Sequence, residues 1–235
     1  MIIVLVLMVV CQLAVALAAF TLPVIAPTAA QTLNIPINFI GYYTSVMLIG
    51  ATVSTLVASV FVHRYGALRV SQVTLVFAGL GLFIIPLVSS PYAILPAFFL
   101  SALLVGIAYG PANPTSSHLL VKLSPIHLRG RVLSIKQAAI PAGGAIAGFA
   151  IPSLDSAFGW ETTMLIAAAS CLSLAICLQP WRRVCDAGRT VNAPLMVSGF
   201  FDAFHVLRRY RALWLLALAS GAFAAVQFCF ISLFV

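Results

Sequence analysis

The sequence contains very little charge. Of its 235 residues, 7% are charged and 63% are hydrophobic, and only four are acidic. A soluble domain usually carries about 25% charged residues, so the composition excludes an ordinary soluble protein and predicts an integral membrane protein. The chain also lacks segments of about ten residues with alternating polarity, which a transmembrane β-barrel requires. The membrane spans are therefore predicted to be α-helices.

Carboxylates are absent from the interior of the long apolar runs. All four Asp and Glu residues lie in connections or at the ends of runs. Because intramembrane carboxylates often serve as proton relays, proton coupling through the first six runs is not expected. Any proton transfer would therefore need another part of the protein or a bound molecule.

Signatures of catalysis and of metal binding are also missing. There is no His-Glu-x-x-His segment, the four histidines lie at or near one membrane edge, and the five cysteines have no metal or redox spacing. We therefore expect no enzyme activity, no metal and no cofactor. A seven-helix photoreceptor is disfavoured because the last apolar run has no lysine for a Schiff base.

Seven apolar runs are long enough to cross a bilayer, at about 20 residues each. They cover approximately 2–20, 40–62, 70–89, 92–120, 132–151, 162–178 and 212–235. The predicted domains are a six-helix transmembrane domain (1–178), a basic loop (179–211) and the first helix of a second transmembrane domain (212–235). Because both chain ends lie in apolar runs, we expect a truncated protein whose partner is its missing carboxy-terminal half.

Basic residues are confined to alternate connections. The twelve Lys and Arg residues lie between spans two and three, between or just inside spans four and five, and after span six. Lys and Arg mark cytoplasmic loops, so the amino terminus is predicted to be cytoplasmic. The net charge of +8 then reflects topology, and no nucleic-acid partner is expected. A cleaved signal peptide is disfavoured because no basic residue precedes the first run.

Span four ends in an unusual polar stretch, GPANPTSS, at residues 110–117. At 1.5 Å per residue, Asn113 lies about 10 Å and Lys136 of span five about 7.5 Å from the cytoplasmic ends of their helices. A charged residue inside a bundle usually faces its interior. We therefore expect Lys136, Asn113, Gln137 and Tyr109 to line a solute path, with Lys136 attracting an anion. Gln12, the only strongly polar residue of span one, is a secondary candidate.

Each of these residues also has a structural interpretation. The long stem of Lys136 could carry its ammonium to the membrane interface. The hydroxyl groups of GPANPTSS could bond back to their own helix, and Gln12 could form a plain hydrogen bond between helices.

Span five continues with several small residues, whose expected role is helix packing. Pro141, Gly143, Gly144 and Gly148 are the candidates, and Gly144 and Gly148 form a GxxxG pattern that allows two helices to approach closely.

A weak internal repeat relates the two halves of the six-span region. A shift of 93 residues places Gly50 on Gly143 and Gly66 on Gly159. It also superimposes span two on span five, which runs in the opposite direction, as an inverted three-plus-three repeat requires.

The connection between spans two and three is SVFVHRYGALR, residues 59–69. It resembles the signature of the major facilitator superfamily, in which a glycine and three residues precede Asp-Arg, any residue, glycine and a basic pair. Arg64, Gly66 and Arg69 match this pattern. The family's glycine, aspartate and first basic residue are replaced by Ser59, His63 and Leu68.

The resemblance covers the whole chain and implies an all-α membrane fold, a six-helix bundle of two inverted repeats plus one extra helix. It also implies that His63, Arg64, Gly66 and Arg69 form a gating latch, whereas the plainer alternative is a basic membrane anchor. The function it implies is secondary transport of a small solute across the cell (inner) membrane by alternating access. The alternative is a membrane scaffold that transports nothing.

Overall fold

The computed structural model describes residues 1–33, 36, 39–88, 90–187 and 209–234, and its regular structure in these ranges is helical. The chain divides into two compact units, Met1–Ala193 and Pro194–Val235. Most of the predicted basic loop, residues 188–208, lies outside the described residues.

Within the residues that the structure describes, the first unit contains eight α-helices. They are α1 (Ile2–Leu33), α2 (Phe39–Tyr65), α3 (Ala67–Ile84), α4 (Pro91–Leu123), α5 (Arg129–Gln137), α6 (Ala139–Phe158), α7 (Trp160–Cys177) and α8 (Arg182–Cys185). Short 3₁₀ turns follow α3, α4 and α7, at Ile85–Leu87, Ile126–Leu128 and Gln179–Trp181.

Six helical segments of this unit are long and apolar enough to cross a membrane. They are Ile2–Leu33, Phe39–Tyr65, Ala67–Leu87, Tyr92–Leu123, Ile126–Phe158 and Trp160–Cys185. The second unit contains α9 (Arg211–Phe234), in which Arg211–Gln227 is a shorter apolar stretch. The seventh span therefore stays a prediction.

The first helix is longer than the sequence predicts. We expected it to end at residue 20, whereas α1 continues to Leu33 through Pro23 and Pro27. The extension carries no charge, and its buried face continues with Leu22, Ile25 and Ala29. Prolines are tolerated in membrane helices where packing and hydroxyl groups satisfy the freed backbone, so packing extends this helix past its prolines.

The fifth span is broken, although the sequence predicts one helix over 132–151. The break lies at Ala138, whose amide bonds Ser134 O at 3.1 Å. Pro141 has no N–H to donate to the carbonyl of Gln137, four residues earlier. The missing hydrogen bond accounts for the division of this span into α5 and α6.

Helix α4 lies at the centre of the packing, against α1, α2 and α3, while α6 packs on α1 and α7 packs on α3. Glycines make the α2–α4 contact close. A Cβ atom on Gly106 would collide with the carbonyl oxygen of Met47, and one on Gly110 with that of Ala51. These two glycines form a GxxxG pattern, which allows backbones to touch.

Candidate functional site

Lys136 lies in the last turn of α5 and is only 2% exposed. Its ammonium donates hydrogen bonds to the side-chain oxygen of Asn113, to the backbone oxygen of Asn113 at 3.3 Å and to Ser117 Oγ at 2.8 Å. An ammonium group has three donors, so all three contact α4. The side chain is therefore held against α4 within the first unit.

The acceptors come from GPANPTSS, which remains helical throughout α4. Asn113 and Ser117 lie four residues apart, and this spacing places their side chains on one face of the helix. The structure thus brings together Lys136 and Asn113. The sequence predicts these two residues at a similar depth along their helices. Ser117 was missed, although its i+4 spacing from Asn113 would have indicated it.

Gln12 joins the same network from α1. Ser116 Oγ lies 3.2 Å from Gln12 Oε1, 2.7 Å from Ala112 O and 3.0 Å from Asn113 O. Gln12 is 3% exposed, and its Nε2 has no hydrogen-bond partner within the described part of the chain. We name Gln12, Asn113, Ser116, Ser117 and Lys136 the polar cluster. It joins α1, α4 and α5.

The polar cluster lies directly below the surface of the first unit. The side chains of Asn113 and Gln137 are exposed, and Tyr109, one turn from Asn113, is half-buried. An exposed amide is unfavourable in contact with acyl chains because nothing there satisfies its hydrogen bonds. The face formed by Asn113 and Gln137 is therefore suited to water or to another polar surface.

No carboxylate forms a salt bridge with Lys136 among the residues that the structure describes. Asp155 accepts a hydrogen bond from Thr28 Oγ1 at 2.8 Å, and Asp186 accepts from the amides of Leu68 and Arg69. The positive charge of the polar cluster is thus matched by neutral oxygens alone. In the same described ranges, no group of three or more His, Cys, Asp or Glu side chains could hold a metal ion.

The residues predicted to form a latch lie at the turn between α2 and α3. His63 and Arg64 lie in the last turn of α2, and the ring of His63 meets that of His118 edge to face, with centroids 4.9 Å apart. Gly66 precedes α3 with a φ of 95°, a conformation that glycine adopts readily. The amide of Arg69 bonds Asp186, at the end of the sixth span, a contact that no local sequence pattern indicates.

The small residues of α6 pack differently from their GxxxG pattern. Gly143 faces α1, where an added Cβ would lie 2.8 Å from both Leu13 O and Ala16 Cβ. A Cβ on Gly144 would lie 3.4 Å from the ring of Phe20, which is an ordinary contact. Gly148 is half-buried and Pro141 is exposed. Of Gly143 and Gly144, Gly143 makes the closer approach to α1.

The family described as Major Facilitator Superfamily matches residues 8–235. No curated protein and no solved structure matches the chain.

Proposed function

The chain belongs to the Major Facilitator Superfamily, a family of secondary transporters and not of enzymes, and we propose that it moves a small organic anion across the membrane by alternating access. The observation that carries the proposal is the environment of Lys136. Its buried ammonium has three neutral oxygen partners and no carboxylate partner among the described residues.

The choice of an anion follows from charge. Burying an ammonium costs several kcal/mol of desolvation free energy. Hydrogen bonds to neutral acceptors offset this cost less than hydrogen bonds to a negatively charged acceptor do. A solute anion that approaches over the exposed side chains of Asn113 and Gln137 would supply the missing charge. Gln12 Nε2, a buried donor without a partner in the described chain, supports a further contact with an acceptor oxygen of the solute.

Alternating access requires that the polar face opens to each side in turn. We propose that the first unit is built as two inverted three-helix repeats, followed by a seventh span that begins the second transmembrane domain. The packing of α2 on α4 and of α6 on α1 supports this arrangement, because exchanging the two repeats converts one pair into the other. We further propose that His63, Arg64, Gly66 and Arg69 act as the latch.

The proposed orientation in the membrane follows from the Lys and Arg residues in alternate connections. We propose that the basic connections face the cytoplasm and that the amino terminus is cytoplasmic, in the cell (inner) membrane. Thiol labelling tests this orientation: Ser90→Cys should react with a membrane-impermeant maleimide in intact cells, and Arg129→Cys only after lysis. Native cysteines are first replaced by serine. The opposite labelling pattern would reverse the orientation.

The transport proposal is tested with protein produced from its complete reading frame and reconstituted into liposomes. Uptake of a panel of radiolabelled carboxylates, phosphate esters and neutral sugars is compared for the wild type, Lys136→Gln and Lys122→Gln. Lys122 is exposed near the end of α4 and provides a matched loss of one charge. We expect uptake of at least one anion, lost in Lys136→Gln and retained in Lys122→Gln.

Two outcomes would oppose the proposal. Normal anion uptake by Lys136→Gln would show that the ammonium only connects α4 to α5. Absence of uptake for every solute, in folded and correctly inserted protein, would favour the membrane scaffold.

A further inference from the structure

The turn between α2 and α3 contains positive charge and no acid. Arg64 and Arg69 flank Gly66, and the sequence from Ser59 to Arg69 has no Asp or Glu. Helix α3 begins at Ala67. The first amide that bonds the carbonyl four residues earlier is that of Val70, which donates to Gly66 O at 3.1 Å. The preceding amides, including those of Leu68 and Arg69, therefore need partners from elsewhere.

Asp186 supplies these partners from a distant part of the sequence. Its Oδ1 accepts the amide of Leu68 at 2.9 Å, and its Oδ2 accepts the amide of Arg69 at 3.1 Å. Asp186 directly follows α8 and is 5% exposed. A carboxylate at the amino-terminal end of a helix is favoured both by the two hydrogen bonds and by the helix dipole.

Gly66 and Asp186 fit one another sterically. A Cβ atom on Gly66 would overlap the carboxyl group of Asp186, and it would lie 2.6 Å from the Cβ of Asp186. The absent side chain of the glycine is what allows the carboxylate to reach the amides of α3.

The turn before α7 provides a comparison within the same protein. Gly159 has a φ of 81°, close to that of Gly66, but an added Cβ would meet nothing within 4 Å. The backbone conformation of such a turn therefore does not itself need a carboxylate. The contact with Asp186 is an additional feature of the turn after α2.

We propose that Asp186 is an anionic anchor that positions the turn between the second and third spans by tying the first turn of α3 to the end of the sixth span. Asp186 is a positioning residue, and its role is independent of the solute site around Lys136.

Hydrogen exchange of the purified chain in nanodiscs tests the anchor. Peptides covering 62–72 are followed by mass spectrometry in the wild type, Asp186→Glu, Asp186→Asn and Asp186→Ala, with peptides covering 160–170 as internal reference. Asp155→Asn is the matched control. In Asp186→Ala we expect the Leu68 and Arg69 amides to exchange about tenfold faster or more, since charge-assisted hydrogen bonds contribute at least this factor.

The two conservative variants separate an anchor from a packing contact. Asn keeps the size of Asp but offers one acceptor oxygen and no charge, whereas Glu keeps the charge and both oxygens at a greater length. An anchor predicts slower exchange in Asp186→Glu than in Asp186→Asn, and packing predicts the reverse order. Wild-type exchange in Asp186→Asn would overturn the proposal, and this variant remains informative if the alanine variant fails to fold.

Discussion

Gly66 and Gly159 lie 93 residues apart and share one backbone conformation, with φ and ψ of 95° and 154° in Gly66 and of 81° and 161° in Gly159. Each precedes the first residue of a helix, α3 or α7. Gly50 and Gly143 have the same separation: Gly50 lies against α4 beside Leu103, and Gly143 lies against α1 beside Leu13. Each of these glycines thus lies where its helix packs on the first helix of the other half, and this correspondence supports the proposed inverted repeat.

The two turn glycines should differ in their tolerance of alanine. Gly159→Ala places a Cβ in open space and should cost about 1–3 kcal/mol, the strain of a backbone region that is essentially restricted to glycine. Gly66→Ala adds a collision with Asp186 and should cost at least about 1 kcal/mol more, as overpacking does. Unfolding of the purified protein by denaturing detergent measures both. Equal losses would mean that Asp186 moves aside without cost.

The glycines of α4 and α6 should differ in a similar way. A Cβ on Gly110 would collide with Ala51 O and with Ser54 Oγ, so Gly110→Ala should force α2 and α4 apart and cost about 1–3 kcal/mol. Gly144→Ala meets only the ring of Phe20 at 3.4 Å and should be nearly neutral. The same unfolding assay applies, and a larger loss in Gly144→Ala would place the critical contact on α6.

Much of the fold is predictable because hydropathy in a membrane reports helices directly. The apolar runs located the six spans, and the family resemblance is confirmed by the match over residues 8–235. Helix ends were less predictable. Pro23 and Pro27 did not end α1, because packing continues past them, whereas Pro141 accompanies the break at Ala138. The presence of a proline in the sequence therefore does not predict whether the helix continues or breaks, because the packing around it decides the outcome.

The site was predictable only where helix geometry determines depth. Counting residues from the helix ends placed Lys136 and Asn113 together because the rise per residue is fixed. The contacts of Ser116 with Gln12 and of Asp186 with Leu68 join residues 104 and 118 positions apart. Such contacts depend on how three helices pack, which local patterns do not encode.

Gln12 provides a test that separates stability from binding. Replacing it by Leu removes an amide whose Nε2 has no partner in the described chain, and Ser116 keeps acceptors at Ala112 O and Asn113 O. We therefore expect the free energy of unfolding to change by less than about 1 kcal/mol. If Gln12 contacts the solute, the KM for the transported anion should rise about tenfold, the effect of one lost hydrogen bond. An unchanged KM would restrict Gln12 to a role between helices.

Asn113→Asp distinguishes a solute contact from a structural connection at Lys136. The substitution keeps the shape of the side chain and converts the amide into a carboxylate. Lys136 already contacts the oxygen at this position. A paired buried ion is more stable than an uncompensated one, so the protein should unfold no more easily than the wild type. The ammonium would then have its counter-charge within the protein, and anion uptake should fall at least about tenfold, since the substitution also adds a like charge beside the solute.

Uptake in liposomes, with Asn113→Gln as the uncharged control, measures this effect. If Lys136 only connects α4 to α5, Asn113→Asp strengthens that connection and leaves uptake unchanged, which would contradict an anion site at this residue.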